Sequence, residues 1–442
     1  MASLAIVRTG DSDFQGKWEQ LKGKLTLETA LLEDRGRLEK VREVIEQVRL
    51  EGDKAVADFT ADYDKVILRP QELRIEAAAL QKAHEGLDKG LRAALRRSME
   101  NVRDYQRTIK VKQPADWHRE GARLGVRYRP IKRVGVCVPG ASAPLVSTVL
   151  MTVAPAQAAG VEEIAVISAP RPDCDNSIHP TILGLCWELK VTEVYRVSGA
   201  QGVAALALGT EHIKKVDKIV GPGSWWGQLA KKEVYGLVDI DSFAGPSEVL
   251  ILADDSANAA WVAADMLSQA EHAPGSAVLL TDSEKLAMTM VEKLESQLTQ
   301  LSRAEQTRQC LQDYCMAVVT RDMKEAVDLA NEFAAEHLQI QCRDSEQIAE
   351  KIINAGAIFI GSFTPVATGD YYAGPSHALP TGGSGRFFSA LNVNDFIKQT
   401  SIISYDEQAL QNAANDIKRI AHAEGLDAHA RSVTIRAQRN LT

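Results

Sequence analysis

Apolar positions recur at helical spacing from about residue 24 to 111, among many Glu, Lys, Arg, Leu and Ala. Residues 37–45, Arg-Leu-Glu-Lys-Val-Arg-Glu-Val-Ile, typify the stretch and predict solvated helices laid on an apolar stripe. The texture changes at Arg133. From there short apolar runs alternate with Ala-rich stretches, which predicts strands at 134–138, 164–168, 193–197 and 218–220 and helices over 145–159 and 202–208. A second series predicts strands at 248–252, 277–280, 316–320 and 357–360, with helices at 258–271 and 323–337. Such alternation implies parallel sheets covered by helices on both faces. After Thr381-Gly-Gly-Ser-Gly, residues 406–439 return to a helical pattern broken at Gly425.

At 442 residues and 45% hydrophobic content the chain can fill more than one core, which excludes a disordered protein. Acidic side chains outnumber basic ones, 59 to 51, for a net charge of −8. That balance argues against nucleic acid as a partner, and the basic stretches 92–107 and 123–133 are interrupted by apolar or acidic residues. Residues 134–161 carry no charge over a length able to span a bilayer, but they contain Pro139, Pro144 and Pro155. A buried strand, loop and helix is expected there, with no membrane association. Six cysteines (Cys137, Cys174, Cys186, Cys310, Cys315, Cys342) include no Cys-x-x-Cys pair, so neither a zinc knuckle nor a disulfide framework is expected. Reduced thiols, and an N-terminus that reaches charge too soon for a signal-peptide core, point to the cytoplasm.

Candidate chemistry begins with Gln269 and His272, in Ser-Gln-Ala-Glu-His-Ala-Pro-Gly at 268–275. Their three-residue spacing at a helix end puts both side chains on one face, and Pro274-Gly275 stops the helix. An amide oxygen and a neutral imidazole aimed at one point form half of a metal site; at a frayed surface helix the same pair is merely solvated. Three other polar clusters can supply the rest: Glu336-His337, Gly369-Asp370-Tyr371, and Glu424 with His429. Glu336-His337 also reads as a helix C-terminus, where a histidine complements the dipole. No G-x-G-x-x-G fingerprint is present. Instead three glycine loops, 139–144, 198–202 and 221–227, each follow a strand of one expected sheet and so fall on its carboxyl edge, the usual ligand crevice of open α/β folds. Trp225 and Trp226 beside the last loop read either as core or as crevice lining.

With these motifs in place, the chain from about residue 127 to 429 resembles the histidinol dehydrogenase family. The resemblance is carried by Pro139-Gly140 with Ser-Ala-Pro-Leu-Val-Ser-Thr-Val-Leu-Met at 142–151, Gly-Ala-Gln-Gly-Val-Ala-Ala-Leu-Ala-Leu-Gly at 199–209, and Ala-Gly-Pro-Ser-Glu-Val-Leu at 244–250. Further matches are Ser-Gln-Ala-Glu-His at 268–272, Glu-His-Leu at 336–338, Gly-Asp-Tyr at 369–371, Gly-Pro-Ser-His-Ala-Leu-Pro-Thr at 374–381 and Glu-Gly-Leu-Asp-Ala-His at 424–429. It implies a zinc- and NAD-dependent oxidation of L-histidinol through the aldehyde to L-histidine, a step of histidine biosynthesis, with two NAD reduced per turnover and one zinc per subunit. Implied zinc ligands are Gln269, His272, Asp370 and His429, all bordering the substrate. Glu336 is implied as the base that activates water for the aldehyde step, and His337 as proton acceptor for both hydride transfers. Ser247, His377 and Glu424 match positions that contact substrate; Cys137, Gln201 and Ser224 match positions that contact the dinucleotide. The C-terminal segment is implied to reach the partner's site, making a domain-swapped homodimer.

The expected fold class is therefore α/β, two incomplete Rossmann-like parallel-sheet domains with N-terminal and C-terminal helical segments. The expected boundaries are 1–23 for an N-terminal segment, 24–136 plus 249–391 for an α/β domain with the metal site, 137–248 for one on the NAD side, and 392–442 for the swapped segment. Three positions depart from the family's usual residues: Cys137 stands for tyrosine, and Ser224 and Ser376 each stand for asparagine. Loss of a stacking ring and an amide costs cofactor binding on the order of 1 to 3 kcal/mol if nothing compensates. Two other readings stay open on these grounds: a paralogous dehydrogenase of another small polar amino or sulfo alcohol, and a catalytically silent zinc- and ligand-binding protein.

Overall fold

The computed structural model describes residues 4–25, 35–141, 143–272 and 275–437. Its strands in chain order are β1 (Ala5–Arg8), β2 (Trp117–Arg119), β3 (Ala122–Pro130), β4 (Arg133–Val138), β5 (Glu163–Ser168), β6 (Glu193–Arg196) and β7 (Lys218–Val220), followed by β8 (Asp239–Ile240), β9 (Ser247–Ala253), β10 (Gly275–Thr281), β11 (Met316–Val319), β12 (His337–Gln341), β13 (Ala357–Ile360) and β14 (Ile397–Tyr405). Six parallel strands run in the order β1-β11-β10-β9-β12-β13, and five more in the order β6-β5-β4-β7-β8. The third sheet, β14-β3-β2, is antiparallel.

Every residue of β4 and β10 is buried, as parallel strands covered on both faces must be. Alternate side chains of β9 serve opposite cores. Val249, Ile251 and Ala253 pack with helices Ala259–Ala270 and Glu284–Leu298, whereas Leu250 and Leu252 pack with helices Phe14–Leu25 and Met323–Phe333. The five-stranded sheet is built alike: Val134, Val136 and Val138 face helices Lys89–Ile109, Val146–Ala159 and Pro180–Glu188, and Cys137 faces helices Arg35–Glu51, Gly199–Leu208 and Trp225–Val234. Each fully buried aliphatic side chain contributes about 1.5–3 kcal/mol to these cores.

Both parallel sheets carry one topology. Counted from β4 or from β9, the strand order is third, second, first, fourth, fifth, and β1 adds to the β11 edge of the larger sheet. This is the Rossmann-like α/β architecture the sequence predicts.

Several expectations change in detail. Helices Arg35–Glu51 and Lys89–Ile109 pack on the five-stranded sheet, not on the six-stranded one with which the 24–136 grouping placed them, because their apolar stripes meet its two faces. Ala5–Arg8, expected as part of a separate terminal segment, is an edge strand, and Val393 and Phe396 of the C-terminal region belong to the core around β4. The helix predicted over 323–337 stops at Phe333, where Ala334 takes a left-handed conformation (φ 55°), so His337 begins β12. The uncharged stretch 134–161 forms β4, a loop and a helix, and among the described residues no helix is long and apolar enough to cross a membrane. Residues 26–34 of the expected helical stretch, Ser142, Pro274 and residues 438–439 lie outside the described residues.

Candidate active site

The amino edge of the six-stranded sheet collects acids and a histidine where strands begin. Glu336, just before β12, accepts at Oε2 from the Ser247 hydroxyl (2.6 Å) and from the Glu248 backbone N–H (2.9 Å) at the head of β9. Glu248 returns the contact, its Oε1 accepting from the backbone N–H groups of Glu336 (3.2 Å) and Gly382 (3.1 Å). His337 donates from Nδ1 to the Glu248 carbonyl at 3.0 Å, which leaves Nε2 buried, without a hydrogen-bond partner among the described residues, 3.7 Å from Asp370 Oδ1. Its ring packs on Phe359, centroids 5.9 Å apart.

Burial and charge compete here. Burial raises the Glu336 carboxyl above its ordinary range, opposed by the His337 charge and by the hydrogen bonds from Ser247 and Glu248. For His337 burial works against the cation, yet Glu336 and then Asp370 outweigh it and lift the imidazole to about 9. His377 is pushed down by burial, feels both Asp370 and His337, and lies 3.4 Å from the Thr148 hydroxyl through Nε2. Tyr371 feels Asp370 and Glu271 together, so the end of the helix bearing Gln269 lies beside this group. Gln269 is buried in that helix's last turn with its amide nitrogen unpartnered among the described residues, while His272 is exposed one turn on. Gly275 admits this approach, since a side chain there would strike the Gln269 carbonyl.

The carboxyl edge of the five-stranded sheet is made of backbone instead. Strand order reverses between β4 and β7, where residues 139–141 and 221–224 leave the sheet, whereas the third expected loop, 198–202, follows the edge strand β6 and is helical from Gly199. Helices Gly199–Leu208 and Trp225–Val234 start here with no side-chain cap at Ser198 or Ser224. Gly221 (φ 105°) donates its N–H to Asp241 Oδ2 (2.6 Å), and its carbonyl accepts from Lys231 Nζ (3.0 Å). Lys231 and Asp241 pair directly, both nearly sealed from solvent. Gln201 is buried in the first turn of its helix and Ser224 is exposed. The Cys137 side chain lies in the core with Tyr195 and Leu229, its thiol pushed up to about 12 by burial. Trp225 stacks at a tilt on Phe243, and Trp226 stays partly exposed.

Segment 374–382 ties the two edges together, through Thr381 Oγ1 accepting from Gly245 N–H (2.5 Å) and Ser376 Oγ donating to the Met151 carbonyl (2.8 Å). Ser247, Glu336, His337, Asp370 and His377 are thereby gathered in one chain. Glu424 and His429 are not: both are exposed on the hairpin of helices Glu407–Ala423 and Asp427–Ala437, and among the described residues no hydrogen bond or ion pair joins them to the group. Among the described residues no three His, Cys, Asp or Glu side chains are clustered to hold a metal.

The profile of the histidinol dehydrogenase family matches residues 29–437. A histidinol dehydrogenase from Rhodopirellula baltica is 45% identical over 401 residues, covering 91% of this chain and 87% of that protein. The chain belongs to the histidinol dehydrogenase family. It is thus an oxidoreductase, and a histidinol dehydrogenase from Geobacillus kaustophilus matches it at 40% identity over 96% of this chain and 99% of its own length. The crystal structure of histidinol dehydrogenase from Elizabethkingia anophelis superposes with a TM-score of 0.89 at 31% identity, over 99% of this chain and 98% of that one.

Within a chain of the histidinol dehydrogenase family, Glu248 is the residue that sequence reasoning missed. Its signal was a lone charge opening the apolar run Val-Leu-Ile-Leu-Ala. Lys231 and Asp241 were missed too, and no local motif marks them. Of the departures, Ser376 is satisfied in place, since its hydroxyl also accepts from the Ala378 N–H (3.2 Å). Cys137 offers no exposed stacking face.

Proposed function

We propose that this enzyme oxidises L-histidinol to L-histidine through the aldehyde, using NAD and one zinc per subunit, in the cytoplasm and as a step of histidine biosynthesis. The observation that carries the reading is the buried Glu336-His337 pair beside Asp370, in a chain of this family. Zinc fits the residues present. The orphaned amide of buried Gln269, free to present its oxygen on rotation, joins the imidazoles of His272 and His429 and the Asp370 carboxylate as nitrogen and oxygen donors. NAD fits the carboxyl edge, where two helix N-termini lack side-chain caps.

When bound, zinc holds the substrate in place and NAD accepts hydride. The chain's own groups move protons. With Nδ1 tied to the Glu248 carbonyl, neutral His337 takes the alcohol proton at Nε2. Glu336, whose Oε2 is engaged by Ser247 and Glu248, has Oε1 left to draw a proton from the water that adds to the aldehyde. Burial keeps bulk water from both.

His429 and Glu424 complete the site from a second copy in this reading. Support comes from the arm itself, where Ile403 is 73% exposed and Ile420 62%, apolar surface that a partner covers.

The test is Glu336→Gln, assayed separately on alcohol and aldehyde. The aldehyde step should fall by roughly 10²- to 10⁴-fold and the alcohol step much less; equal losses would count against water activation by Glu336. Two NADH per histidinol are expected from the parent enzyme, whereas turnover of another amino or sulfo alcohol alone assigns a paralogous dehydrogenase.

A further inference from the structure

Glu248 is the second residue of β9, ahead of the apolar run Val249 to Ala253, and is fully buried. A buried carboxyl is costly unless its atoms are used, and here one oxygen is used twice while the backbone of the same residue makes two further contacts. Oε1 receives the backbone N–H groups of Glu336 and Gly382, its own N–H reaches Glu336 Oε2, and its carbonyl receives His337 Nδ1. One residue therefore holds the main chain of Glu336, touches the side chains of both members of the pair, and anchors the turn that follows His377. Its Oε2 has no hydrogen-bond partner among the described residues. A bare anionic oxygen beside a second carboxyl is the costlier state, and burial followed by the Glu336 charge lifts Glu248 to about 8.

We propose that Glu248 is a positioning residue, its carboxyl a clamp on the backbone that sets where Glu336 and His337 stand. The proposal rests on that pair being the reacting one. A carboxamide offers the same acceptor oxygen without a charge, so Glu248→Gln keeps the clamp and Glu248→Ala removes it.

Both variants are made as full-length holoenzyme and compared in kcat and KM for each half-reaction, zinc content and melting temperature. Glu248→Gln is expected within about threefold of the parent, whereas Glu248→Ala loses roughly a hundredfold in kcat on both half-reactions, with zinc retained and KM little changed. Parent-like kcat in a less stable Glu248→Ala assigns a merely structural role and overturns the proposal. So does a Glu248→Gln enzyme as impaired as Glu248→Ala, which points to proton transfer. If Glu248→Ala does not fold, Glu248→Asp, one methylene short of the clamp, is read by the same criteria. Normal turnover by Glu336→Gln and His337→Ala overturns the reading of the pair itself, a result separable from failure of the Glu248 variants alone.

Discussion

The two parallel sheets share a strand order and differ in which end carries the groups of the proposed site. At the carboxyl edge of the five-stranded sheet, glycine loops and helix N-termini present backbone groups, held by the Lys231–Asp241 pair beneath Gly221. At the amino edge of the six-stranded sheet, the strand heads present Ser247, Glu248 and His337. A carboxyl edge offers N–H groups suited to anions, which recognises a ligand without reacting with it. An amino edge can bury side chains that trade protons. Topology thus fixes a scaffold, and function follows from what each edge exposes.

The comparison can be broken at either edge. Asp241→Asn removes the partner of a buried lysine, so unfolding free energy should drop by about 3–5 kcal/mol in denaturant titration. The KM for cofactor should rise while the ratio of the two half-reactions holds; a drop below about 1 kcal/mol would mean that the pair does not set the edge. His429→Ala tests the amino edge alone. Zinc affinity should fall by about a hundredfold or more with cofactor binding unchanged, and mixing with His272→Ala chains should restore some sites. No recovery in mixed dimers would sink the shared site.

A graded effect is expected in pH. His337 is charged below about 9 and serves as a base only when neutral, so acid suppresses it and alkali releases it. The alcohol step should quicken by up to about tenfold per unit between about pH 6 and 8, then level near 9. A flat profile would remove His337 from that step.

Much of this was legible in the chain. Unbroken apolar runs such as Val-Leu-Ile-Leu at 249–252 marked parallel strands, and helix 258–271 was read nearly to its ends because Asn258 caps it, accepting from Ala260 N–H at 2.9 Å. The antiparallel sheet was not legible. β3 carries Arg123, Arg127 and Arg129 and leaves few side chains buried, so it looks like a solvated stretch, and its partner β14 lies far along the chain. Nor was the end of helix Met323–Phe333, since Ala334 turns the chain without a glycine or proline to announce it. Of the residues expected at the site, Ser247, Glu336, His337 and Asp370 come together in the fold. Glu248 lies inside a matched motif, yet its contacts were not legible there, because they depend on a neighbour 88 positions away.

One edge strand has a consequence for how the protein is made. β1 pairs with β11 in the register Ala5 to Met316, so it leaves the ribosome roughly three hundred residues before its neighbour exists. At synthesis rates of about 5–20 residues per second that delay is roughly 15–60 s. The strands of the five-stranded sheet, β4 to β8, can pair meanwhile, with Val393 and Phe396 completing their core only later, so an apolar edge strand must stay unpaired beside a part-built sheet, an opening for chaperones and a hazard at high expression.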